Sequence, residues 1–354
     1  MRLDGSTLVR IARAMRDTTW KRYDDDALRA FGAKLGWAWD ATGELPVLRT
    51  GLPTGDARPR PEGTFDSTIM GWFERLGLVV PVADERTSGA AVLARDFREL
   101  AADLEEAFGP SLVMGCHGAR GWYDDAVPSW GSPFRIWHDG WTAVELRASQ
   151  TGVELAVHPI TTIDSWLAYC TEAMPAGELG GFVAQRFDGT TSPLQTPYAP
   201  PVEDDWLDFE LDLARELTTL PAVTVALDIE LSFGLHGMIP GTAGPWVFSL
   251  ASTDVLELGV DAELEHTDVD FAKLGWQRSS DHPADGAHLD PVSFHSDAAG
   301  PGEVKGTVLA GLVVRTAKAL GIRAPRSGLS LTDRACRIGD YRADFFGLGL
   351  RENP

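Results

Sequence analysis

The pattern Ala-Ser-x-x-x-x-Glu-Leu-x-Val occurs twice in this chain, 103 residues apart. The first copy carries Ala148, Ser149, Glu154, Leu155 and Val157, and the second Ala251, Ser252, Glu257, Leu258 and Val260. Each copy sits where two alternating apolar runs meet at a short polar turn, the period-two signature of a β-hairpin. Each also follows an amphipathic helical pattern, over 97–108 and 206–217. The chain therefore reads as α+β: two related helix-plus-antiparallel-sheet units joined by a Pro/Gly-rich linker.

Residues 174–203 place the linker, because Pro175, Pro193, Pro197, Pro200 and Pro201 fall there among glycines and threonines. This gives an N-terminal domain over 1–174, a linker over 175–203 and a C-terminal domain over 204–354. Helical spacing is expected over 3–15, and over 24–35 after Asp24-Asp25-Asp26 and before Gly36. It recurs over 91–108, stopped by Gly109-Pro110, over 204–217, and over 304–320, stopped by Gly321. Shorter helices are expected over 68–76, 163–169 and 269–274. Strands are expected over 78–82, 222–233 and 292–294, the Gly-rich stretch 111–132 reads as irregular, and the apolar tail 344–350 is expected to dock on the fold.

The net charge is −21. Residues 1–200 hold 19 Lys+Arg against 27 Asp+Glu, and residues 201–354 hold 12 against 25, so the deficit grows from −8 to −13 along the chain. Such a surface repels nucleic-acid phosphates and anionic lipids and attracts a basic protein. No apolar run approaches the length of a membrane span. The first sixteen residues lack the continuous apolar stretch of a secretory signal. Cys116, Cys170 and Cys336 form an odd, scattered set, as expected of reduced thiols in a cytoplasmic protein.

Catalytic constellations are hard to find. His282, His288 and His295 lie beside Asp281, Asp285 and Asp290, and imidazole with carboxylate is ligand chemistry for zinc. Their spacings of six and seven do not share a helical face, so a solvated loop is expected, with no metal and no cofactor. A metal-dependent hydrolase using this loop over 281–296 stays open as an alternative. Cys116 and His117 are adjacent, and neighbours in extended chain point to opposite faces. No phosphate-binding Gly loop and no Gly-x-Ser-x-Gly elbow occurs. Twelve tryptophans stand out, with Trp122, Trp130, Trp137 and Trp141 inside twenty residues. Aromatics at that density serve as sheet core or as recognition anchors. The residues singled out for partner binding are Trp122, Tyr123, Asp124, Asp125 and Trp130.

The stretches 248–262, Phe271-Ala272-Lys273-Leu274-Gly275-Trp276 and 304–320, with Leu312-Val313-Val314-Arg315-Thr316 inside the last, resemble actinobacterial type III secretion chaperone-like (TY-Chap) domains. That resemblance covers about residues 204–330. Between Trp276 and Val304 the chain departs from the family pattern, with His and Asp where aromatics are usual. The segments 8–20, 31–37, 48–55, 97–110 and 141–167 resemble an actinobacterial domain family of unknown function. Both resemblances imply a non-catalytic protein that binds a toxin or effector. The expected function is accordingly an immunity protein or chaperone that masks a basic partner. A structural subunit of a larger assembly is the third reading.

Overall fold

The computed structural model describes residues 1–18, 20, 25–43, 46–59, 77–84, 89–117, 128–138, 142–150, 152–159, 181–186, 204–238, 245–262, 268–278, 292–295, 299–332, 335–345 and 348–352. The chain is α+β, with helices packed on antiparallel sheets. The helices expected over 68–76 and 163–169 lie outside the described residues.

Helix α1 (Gly5–Arg16) starts where the Asp4 carboxylate accepts the Thr7 N–H at 2.9 Å, a side-chain cap on an otherwise orphan donor. It buries Leu8, Ile11, Ala12 and Met15, the spacing of one helical face. Helix α2 (Asp25–Leu35) opens on acidic residues and buries Leu28 and Phe31. Helix α3 (Ala90–Phe108) buries Leu93, Phe97, Leu100 and Leu104 and stops at Gly109, whose φ of 81° suits glycine.

Helix α4 (Trp206–Leu227) is capped by Asp205 and continues through Pro221 to Asp228, a left-handed residue with φ 53°. This corrects the strand expected over 222–233: that strand begins only at Leu231. Ala222, Val223, Ala226 and Leu227 are all buried, so the run has no polar face to reveal its 3.6-residue period. The remaining helices among the described residues are α5 (Phe271–Leu274), α6 (Gly306–Ala319) and α7 (Pro325–Gly328).

Strands β1 (Ala38–Asp40) and β2 (Val47–Arg49) form a small ribbon. The first large sheet uses β3 (Arg58–Pro59), β4 (Leu78–Asp84), β5 (Val113–His117), β6 (Pro133–His138), β7 (Thr142–Ser149), β8 (Gly152–Pro159) and β9 (Gly181–Arg186). The second uses β10 (Leu231–Met238), β11 (Pro245–Ser252), β12 (Leu256–Ala262), β13 (Gln277–Arg278), β14 (Val292–His295), β15 (Leu329–Leu331) and β18 (Arg351–Glu352). Two late strands, β16 (Ala335–Ile338) and β17 (Tyr341–Phe345), cross back to the first sheet. Its order is β16-β17-β9-β5-β6-β7-β8-β4-β3, and the second runs β13-β14-β12-β11-β10-β15-β18.

The unit boundary therefore differs from the expectation in two places. Strand β9 lies inside the expected linker, yet it pairs with β5 on one side and β17 on the other. The hairpin β16–β17 belongs by sequence to the C-terminal domain and by pairing to the N-terminal sheet. Strand β5 likewise runs through the stretch read as irregular. A single apolar core runs from Leu3 to Leu350, with Leu348 and Leu350 of the tail docked in it. Helix α4 packs against α3 and α6 and against strands of both sheets, so it is the element the two halves share.

Both copies of the repeated pattern are hairpins, β7–β8 and β11–β12. The first turns through two residues, pairing Ser149 with Gly152, and the second through three, pairing Ser252 with Leu256. Leu155 and Val157 face the core, as do Leu258 and Val260. On the preceding strand the pattern slips by one: Leu155 lies opposite Leu146, and Leu258 opposite Leu250. Glu154 is consequently set against Arg147, whereas Glu257 is exposed opposite Ala251.

Candidate functional site

Of the sequence-derived binding residues, Trp130 lies among the described residues. Trp130 is buried, 3% exposed, and its indole N–H donates to the Ser149 carbonyl at 3.3 Å. It closes the core beneath the first repeat's turn, which corrects its assignment as an exposed anchor. Trp122, Tyr123, Asp124 and Asp125 lie outside the described residues, as do His282 and His288. His295 is on β14, level with Gly259 and Gln277. Cys116 and His117 do point to opposite faces of β5: Cys116 joins the helix-side core, and His117 stacks on Phe134 at 4.6 Å.

The first sheet gathers ionisable groups on the face turned away from the helices. Val144, Leu146, Leu155 and Val157 enter the core beneath α1 and α3, so alternation sends Glu145, Arg147, Glu154 and His158 to the other side. Arg147 lies directly opposite Glu154, and their side chains pair at 3.0 Å. His158 lies opposite Ala143, which sets it diagonal to Glu145 with Nε2 3.3 Å from the carboxylate. Glu145, Glu154 and His158 are buried. Burial lowers the His117 pKa to about 4, opposed by the Glu145 charge, so this imidazole is neutral at physiological pH. Carboxylate and imidazole side by side can pass a proton. The direct pairing of Arg147 with Glu154 across neighbouring strands also satisfies charges that burial would otherwise penalise.

A second group lies on the helix side, where α4 meets the sheet. The Glu216 carboxylate accepts the Gly181 N–H at 2.7 Å. Burial raises its pKa to about 7, against the pull of that hydrogen bond and of Arg215, with Asp212 adding to the rise. Beneath it, burial first and Glu216 second push the Cys116 thiol up. A thiol held protonated is a poor nucleophile. Gly181 has φ 78°, and a Cβ there would strike the Cys116 carbonyl. Only glycine lets β5 and β9 meet this closely.

The outer face of the α4–α6 pair is the third grouping. Among the described residues five large apolar side chains are exposed, and three are here: Leu207 (62%), Leu211 (53%) and Val308 (57%). Sequence reasoning did not single them out, because Leu207 and Leu211 belong to the amphipathic pattern over 206–217 and residue type alone does not mark them as exposed. Among the described residues no three His, Cys, Asp or Glu side chains are grouped to hold a metal ion, and no helix is long and apolar enough to cross a membrane.

No family model matches this chain, and no curated protein or solved structure matches it either.

Proposed function

We propose that this is a non-catalytic binding protein of the cytoplasm that captures and masks a basic protein, as an immunity protein or chaperone does for a toxin or secreted effector. The observation that carries this reading is charge: residues 201–354 hold 25 acids against 12 bases within a chain of net −21. A surface of one sign raises the encounter rate with a partner of the other and discourages like-charged competitors. The buried ionisable groups of the first sheet fit the same reading. Arg147 with Glu154 and Glu145 with His158 are set against each other across strands, as structural pairs are.

The test is capture of the tagged, full-length chain from its native cytoplasm at low and high salt, followed by kinetics with the recovered protein. The expected result is one basic protein in stoichiometric amount whose association rate falls steeply with salt, because screening shortens the reach of the acidic surface. Recovery of acidic or nucleic-acid-bound partners only would overturn it. One zinc per chain with hydrolytic activity, both lost on His288→Ala, would replace it with the hydrolase reading.

A further inference from the structure

We propose that the outer face of the α4–α6 pair is an interface between two copies of this chain, related by a two-fold axis parallel to the helices. The two helices run antiparallel. Trp206 at the start of α4 lies under the Lys318 ammonium, 5.2 Å from its ring, and Gly306 at the start of α6 abuts Ala214 and Thr218. Near the Trp206–Lys318 end their exposed charges differ in sign. Helix α4, with its cap, presents Asp205, Leu207, Asp208 and Leu211, followed two turns into the helix by Arg215. Helix α6, with the residue before it, presents Lys305, Val308, Arg315 and Lys318.

This face is both apolar and self-complementary. An axis parallel to the helices lays α4 of one copy over α6 of the other at the same height. The helix rise then sets Leu207 and Asp208 over the Arg315 and Lys318 end, with Leu211 about one turn further along and Val308 beyond it, near the start of α6. An axis across the helices would instead set α4 on α4, with Asp205 and Asp208 facing their own copies. A basic partner is disfavoured here because Lys305, Arg315 and Lys318 would repel it. A second copy satisfies both strips at once, as isologous contacts do. This interface is separate from capture of a basic protein.

The experiment is sedimentation of the full-length chain across a concentration series, at low and moderate salt. The expected result is a monomer–dimer equilibrium. Leu211→Lys should weaken it at least tenfold, about 1.4 kcal/mol, and leave the melting temperature unchanged at dilutions where both proteins are monomeric, because the side chain is exposed. Asp208→Arg and Arg315→Asp should each weaken it, and the double variant Asp208→Arg/Arg315→Asp should recover most of the loss. A chain that stays monomeric throughout, a dimer indifferent to Leu211→Lys, or a double variant no better than its singles would each overturn the proposal. Capture of a basic protein by a Leu211→Lys monomer would leave the binding function standing.

Discussion

The Tyr341 hydroxyl donates to the Ser111 carbonyl at 2.7 Å, across 230 positions of chain. The Ser111 hydroxyl also lies 3.0 Å from the Tyr341 hydroxyl, so the last hairpin is bolted to a residue two positions before β5. Tyr341→Phe keeps the ring and removes the donor. It should cost about 1 kcal/mol, the net worth of one such bond, measured by chemical denaturation.

Removing the whole hairpin is a larger change. Truncation after Thr332 strips β17 from β9 and leaves that strand's edge open, with the stacked Phe182–Phe345 pair broken. The expected outcome is loss of cooperative unfolding and concentration-dependent aggregation, read by circular dichroism and light scattering. A truncated chain that melts as sharply as the full one would show that the halves fold separately.

Glu216 gives the chain a pH dependence. Its pKa rises from 4.5 unfolded to about 7 folded, so the folded state binds this proton more tightly. The stabilisation is complete below pH 4.5 and is lost as pH rises through about 7. Glu216→Gln keeps a hydrogen-bond acceptor and removes the charge. It should gain roughly 1–3 kcal/mol near pH 8 and almost nothing near pH 4, at about 1.4 kcal/mol per pKa unit. Equal gains at both pH values would mean that the carboxylate is already solvated.

Trp130 should behave as core. Trp130→Ala is expected to cost about 3–5 kcal/mol of stability through the cavity it leaves. Trp130→Phe should cost less, losing mainly the hydrogen bond to Ser149. Melting of the two variants checks this, and a Trp130→Ala protein that melts normally would restore the residue to the surface.

The Arg147–Glu154 pair separates charge burial from packing. Arg147→Leu alone strands a buried carboxylate and should cost about 3 kcal/mol or more. Arg147→Leu/Glu154→Leu should recover most of that loss, because two apolar side chains face one another without a charge. Equilibrium unfolding of the three proteins decides it.

Local pattern made much of this fold legible and left its connectivity hidden. Leu8, Ile11 and Met15 report α1 by spacing, and Leu155 and Leu258 report their hairpins by alternation. The segment Ala222–Leu227 is buried at every position but the half-buried Val225, which erases the helical period. Strand β9 is six residues long and bounded by prolines and glycines, so composition outweighed its alternation. The return of Tyr341–Phe345 to the first sheet depends on strand β9, more than 150 residues away, which no local window contains. Trp130 was misplaced for a related reason: its burial, like the exposure of Leu207, depends on which neighbours arrive, not on residue type.

The crossing hairpin has a consequence for how the protein is made. Synthesis delivers β4 to β9 early, but β9 gains its outer neighbour only when residues 341–345 leave the ribosome. For nearly half the length of translation, the larger sheet carries an open flank that any extended segment can join. A nascent chain of this kind needs protection until its final strands arrive, and stalling late in the message would release the most adhesive form of the polypeptide.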